Sequence, residues 1–121
     1  MILRTGVDLI ETSRIEEVVV RHGKHYLERV YTNAELALCG KRVESLAGRF
    51  AGKEAVAKAL GCGIGDVAWK EIEILGDEQN APMLHLHGNA AEKAQELELK
   101  NWSISLSHSQ SHAIAFVVAL G

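Results

Sequence analysis

The run from Val43 to Leu60 limits what this chain can fold into more than any other stretch. It contains no proline, keeps helical spacing throughout, and is closed by Gly61-Cys62-Gly63-Ile64-Gly65, a loop that ends a helix. Advancing about 100° per residue from Leu46 places Phe50, Ala57 and Leu60 within roughly 40° of it, which defines a core-facing stripe. On the same wheel Glu54 falls about 80° away and Lys58 about 120°, beside Ala47 and Ala51 on the shoulder of the stripe. A carboxylate and an ammonium one turn apart among alanines leave room beside the helix for a ligand. The same pair in the same order also suits an ordinary i,i+4 surface pair worth about 0.3–0.5 kcal/mol. Lys53 falls inside the stripe, at about 340°, where spacing alone gives a lysine no reason to be. Gly48 and Gly52 each weaken the helix by about 1 kcal/mol against alanine, so something is expected to pack or bind closely along their side.

The rest of the chain reads in order around this helix. Met1 to Leu9 reads as a strand ending near Gly6-Val7-Asp8. Ser13 with Glu16 forms a capping-box pattern, and the helix it opens ends near His22-Gly23. Thr32 with Glu35 is a second such box, opening a short helix that stops near Gly40. After the glycine loop the period changes to alternation. Ile72 and Ile74, then Leu84 and Leu86, predict a hairpin around the turn formers between Gly76 and Pro82. Asn89 with Glu92 caps a further helix through about Leu97. Trp102 to Ser107 alternates, Ser109-Gln110-Ser111 turns, and Ala113 to Leu120 reads as a buried central strand. The prediction is α+β: an antiparallel sheet with packed helices, in one domain over residues 1–121.

Composition narrows the function. At 121 residues the chain suits one domain with a real core. A net charge of −3 argues against a general nucleic-acid binder. Basic residues are uneven, however, with Lys41, Arg42, Arg49, Lys53 and Lys58 in one segment, a candidate seat for an anion. The longest apolar run, Ala113 to Leu120, is too short to span a bilayer, so no membrane role is expected. No secretory signal is visible at the N-terminus, and Cys39 and Cys62 lack metal-ligand spacing, which points to a reduced, cytoplasmic protein.

Several groups could carry chemistry. Asp8, at the end of the first strand, is either a turn-forming acid or a ligand for a divalent cation. Magnesium takes only one or two protein carboxylates, and Asp8 with Glu54 would meet that need. The glycine loop could cradle phosphate through its amides, although it follows a helix instead of preceding one as a P-loop does. Ser105-Leu106-Ser107-His108-Ser109 puts hydroxyls and an imidazole at a hairpin tip, without the elbow or neighbouring acid of a serine hydrolase. His85 and His87 share a strand face but lack a third ligand for a transition metal.

Together these pieces resemble a known family. Gly6-Val7-Asp8, then Gly48-Arg49-Phe50-Ala51-Gly52-Lys53-Glu54-Ala55 with Lys58, then Gly61 to Gly65, then Ser105 to Ser109 are similar to holo-acyl-carrier-protein synthase, the short, single-domain type of 4′-phosphopantetheinyl transferase. The resemblance runs over nearly the whole chain. It implies the transferase fold and a reaction in which a serine of apo-acyl carrier protein attacks the β-phosphate of coenzyme A, releasing adenosine 3′,5′-bisphosphate, within fatty acid and lipid biosynthesis. It implies that Asp8 and Glu54 hold Mg²⁺ and that Asp8, Glu54 and Lys58 are catalytic. Substrate contacts are implied for Lys58, His108, Arg49, Gly63, Ser107 and Arg14. Lys58 would meet coenzyme A phosphate, His108 the 3′-phosphate or adenine end, and Arg14, with Arg21 and Arg29, the acidic carrier. Either Glu54 or a water on the metal would take the serine proton. The family also implies a homotrimer with active sites between subunits.

The chain departs from the family pattern at Cys62, where threonine or serine is common, and at Gly52, where alanine or valine is usual. A thiol is a weaker hydrogen-bond partner than a hydroxyl. The alternative on the same scaffold is a non-catalytic trimeric nucleotide-binding protein. Retention of Asp8, Glu54 and Lys58 together favours the enzyme, and a metal-dependent phosphohydrolase would show a denser set of Asp and His.

Overall fold

The structure, a computed structural model, describes residues 1–121. β1 (Leu3–Glu11) leads into four helices, α1 (Thr12–His22), α2 (Lys24–Val30), α3 (Asn33–Cys39) and α4 (Val43–Ala59). A 3₁₀ turn at Trp69–Glu71 precedes β2 (Ile72–Gly76) and β3 (Pro82–Leu86), then α5 (Gly88–Glu96), β4 (Asn101–His108) and β5 (His112–Leu120). β2 and β3 form the expected hairpin, while the other strands make one antiparallel sheet in the order β1-β5-β4. The register sets Gly6 opposite Val117, and Val117 opposite Ile104. The architecture is α+β, as the sequence pattern predicts.

α4 lies across the inner face of this sheet. That face of β5 carries Ala113, Ala115, Val117 and Ala119, all fully buried and mostly too small to hold a helix away. The tightest contact is between backbones. A Cβ at Gly6 would run into the carbonyl oxygen of Ala55, so only glycine lets β1 meet α4 here. Gly52 plays the matching part toward the other strands, since a Cβ there would strike Cδ1 of Ile74 and come within 3.4 Å of Cδ1 of Ile104. The two glycines of the helix therefore serve packing, with Gly48 under Leu106.

This packing corrects one expectation about the helix. Ala47, Ala51 and Ala55 are fully buried, so the small residues beside Glu54 make room for strands and not for a ligand. Asp8 lies inside β1, opposite Ala115, because the strand continues to Glu11. α1 starts without the Ser13 cap, and α5 begins before Asn89, whose backbone N–H donates to Glu71 Oε2 at 2.6 Å. α2 has no capping residue to announce it, since Gly23 ends one helix and starts the next. β5 is central, yet within one chain it is buried on one face only.

Lys53, unexplained by spacing, is fully buried and fully bonded. Its Nζ donates to Glu35 Oε1 at 2.8 Å, to the Trp69 carbonyl at 3.0 Å and to the Ile72 carbonyl. Glu35 in turn accepts the Thr32 amide, completing the α3 capping box, and the Ile74 amide of β2 at 2.9 Å. One ion pair thus ties α4 to α3 and to the hairpin. Removing one member of such a pair strands the other charge, whereas removing both does not. Lys53→Met is expected to lower unfolding free energy by about 3–5 kcal/mol in urea denaturation, with Lys53→Met/Glu35→Gln losing clearly less. Equal losses in both variants would show that the pair does not brace the fold.

Candidate active site

Asp8, Glu54 and Lys58 meet where β1 crosses α4. Alternation along β1 puts Asp8 on the face of Gly6 and Ile10, the face turned to the helix. Glu54 and Lys58 are one turn apart on α4. Lys58 Nζ donates to the Val7 carbonyl at 2.9 Å and lies 3.4 Å from Asp8 Oδ1. The Lys58 side chain is 55% exposed, so as a surface pair it adds at most about 1 kcal/mol to stability. Its place is better explained by what it can reach. Burial raises the Glu54 carboxyl above its ordinary range, the Asp8 carboxylate raises it further, and Lys58 partly opposes both.

Two carboxylates facing one ammonium leave this corner short of positive charge. No group of three or more His, Cys, Asp or Glu side chains is placed to share a metal ion. The donor set suits a hard divalent cation that needs one or two carboxylates and completes its shell with water and phosphate oxygens. His87 is engaged otherwise, with Nε2 3.0 Å from Glu73 Oε1.

The glycine loop follows directly from Lys58, and its amides are largely spent. Gly61 N donates to Lys58 O, Cys62 N to Ala57 O, and Gly65 N to Val67 O, each at 2.9–3.1 Å. Gly63 is exposed, with open space around it. Beyond the loop a cavity of about 440 Å³ runs to α5, with Asp66, Glu92 and Glu96 set against Lys93. Its charge does not suit a phosphate.

The remaining residues singled out in the sequence lie elsewhere on the single chain. Arg49 Nε donates to the Ile74 carbonyl at 3.3 Å. His108 ends β4 opposite Ala113 and, with Ser107, Leu9 and His112, lines a hollow of about 210 Å³. Arg14 is exposed on α1, as are Arg21 and, on α2, Arg29. Arg4 went unnoticed in the sequence. It shares the Asp8 face of β1, and its Nη2 lies 2.6 Å from the position of a Cβ at Gly61. Strand parity with Asp8 was the available signal.

The family model described as the 4′-phosphopantetheinyl transferase superfamily matches residues 4–117. The chain belongs to that superfamily, in its holo-acyl-carrier-protein synthase family. It is an enzyme of the phosphopantetheinyl transferase class. A relative from Herpetosiphon aurantiacus described as a holo-[acyl-carrier-protein] synthase is 51% identical, covering 98% of this chain and 99% of its own. The crystal structure of the Helicobacter pylori holo-[acyl-carrier-protein] synthase in complex with coenzyme A superposes with a TM-score of 0.88 at 37% identity, over 96% of this chain and 99% of that one. The Neisseria meningitidis synthase gives a TM-score of 0.88 at 34% identity, over 98% of each chain.

The charge balance has a measurable consequence. A carboxyl whose folded pKa is raised adds nothing unfavourable below its unfolded value, near 4.5, and destabilises progressively as pH rises through the folded value. Glu54→Gln is therefore expected to raise the Tm above neutral pH, with the gain shrinking to nothing below about pH 4. A gain independent of pH in thermal scans would contradict the assigned cause.

Proposed function

We propose that this chain transfers the 4′-phosphopantetheine group of coenzyme A to a serine of apo-acyl carrier protein, with Mg²⁺ held by Asp8 and Glu54. The observation that carries the reading is the meeting of those two carboxylates with Lys58 at the β1–α4 crossing. Coenzyme A in the Helicobacter pylori structure and the carrier in the relatives' descriptions support the choice of substrates. The serine oxygen forms a bond to the β-phosphorus as the pyrophosphate P–O bond breaks, and adenosine 3′,5′-bisphosphate departs. Such a transfer depends on positioning and charge neutralisation. Lys58 supplies a point charge for phosphate oxygens. Mg²⁺, when bound, would neutralise the pyrophosphate and polarise it toward attack. Glu54 is the carboxylate this chain would offer for the serine proton.

The sheet supports a trimer with shared sites. Its outer face exposes Leu3, Val7, Leu9, Ile114, Phe116 and Leu120, a contiguous apolar patch of a kind that marks association. In that assembly His108, Ser107 and Arg49 would complete a neighbour's site, and Gly63 would border the nucleotide. The exposed Arg14 and Arg21 of α1 and Arg29 of α2 are the groups that would meet an acidic carrier. No helix is long and apolar enough to cross a membrane.

The chain incubated with apo-carrier, coenzyme A and Mg²⁺ is expected to yield the phosphopantetheine adduct by mass spectrometry, with a trimer in sedimentation. Glu54→Gln is expected to lower kcat at least about 100-fold. An undiminished rate in that variant, or no adduct on any carrier, rejects the mechanism. Arg14→Glu is expected to raise the carrier KM about tenfold, more than the coenzyme A KM. Equal shifts in both constants would remove Arg14 from the carrier surface.

A further inference from the structure

We propose that Arg4 is a further substrate-binding residue of this site, its guanidinium holding a phosphate of coenzyme A against the Gly61 side of the glycine loop. This rests on the function proposed above and adds a residue to it. The loop needs such a group. The amides of Gly61, Cys62 and Gly65 are used within the helix end and the turn, so the backbone offers an anion little there. The carbonyl end of α4 points at the same loop and carries partial negative charge. The cavity on the α5 side is acidic, with Asp66, Glu92 and Glu96 against Lys93. A polyanion at this loop must therefore be held from the β1 side, by side-chain cations.

That side presents Lys58 and Arg4. Lys58 already donates to the Val7 carbonyl and faces Asp8, which leaves part of its charge engaged. Arg4 Nη2 lies 2.6 Å from where a Cβ of Gly61 would stand, so the guanidinium lies directly against the loop at a glycine whose φ of 72° no other residue readily adopts. Arg42 and Arg49 donate to protein carbonyls, and the ion pairs of the chain leave Arg4 out. Arg4 also shares the face of β1 that carries Asp8, so one strand would present a metal-holding acid and a phosphate-holding base to the same ligand. A guanidinium is well matched to this task, because its planar fork can engage two phosphate oxygens at once.

The test compares the wild-type chain with Arg4→Gln and Arg4→Lys, using coenzyme A and 3′-dephospho-coenzyme A as probes. Calorimetric binding of each nucleotide is read beside steady-state transfer to apo-carrier. Arg4→Gln is expected to weaken coenzyme A binding and raise its KM about tenfold, more than any change in kcat or in the carrier KM, with Arg4→Lys recovering part of the loss. An effect confined to coenzyme A assigns Arg4 to the 3′-phosphate, and an equal effect on both probes assigns it to the pyrophosphate. Unchanged Kd and KM in a variant whose Tm falls would show that Arg4 only steadies the end of α4, and the proposal would be wrong. A wild-type chain that binds coenzyme A but makes no adduct overturns the transferase reading instead, while the binding arm still decides Arg4.

Discussion

The contact of Gly6 with the carbonyl of Ala55 is the constraint on which the rest of this structure depends. Because no side chain intervenes, β1 and α4 approach backbone to backbone, and the residues on either side of the contact are carried into reach of each other. Asp8 comes from the strand, and Glu54 and Lys58 come from the helix. A bulkier residue at position 6 would part the two elements and separate the carboxylates. The small inner residues of β5, Ala113, Ala115 and Ala119, extend the same close approach across the sheet.

Close approach alone does not decide which face of α4 turns toward Asp8. Lys53 does that from the opposite side. Bonded to Glu35 and to the Trp69 and Ile72 carbonyls, it holds the helix in rotation and in height, and Glu54 is the next residue. A buried ion pair contributes little net stability when compared with an apolar pair, but its geometry is directional. Here that direction serves the site. Motif residues Lys53 and Glu54 thus have separate duties, one inside the fold and one at its surface.

Much of this was legible in the sequence, and the reasons for the exceptions are physical. α4, the β2–β3 hairpin and the β4–β5 pair follow from periodicity and turn residues, because each is a local pattern with a sharp stop. Asp8, Glu54 and Lys58 were identifiable as charged groups in small-residue settings and through the family resemblance. Lys53 was not, since its partners Glu35, Trp69 and Ile72 are brought to it only by tertiary packing. Ala47 and Ala51 suggest space for a ligand in the sequence and are buried in the fold, because spacing cannot distinguish room beside a helix from room filled by a strand. Asp8 inside β1, and not at its end, reflects the pairing with β5, which continues to Glu11 and His112.

The central claim is that Asp8 and Glu54 are held together across the β1–α4 crossing and share an electrostatic environment. NMR titration of the Glu54 carboxyl in the metal-free wild-type chain and in Asp8→Asn tests it most directly. The account predicts a titration above the ordinary glutamate range in the wild type, with the part due to Asp8 lost in the variant and the part due to burial kept. An ordinary value in the wild type, or the same raised value in both chains, would contradict it.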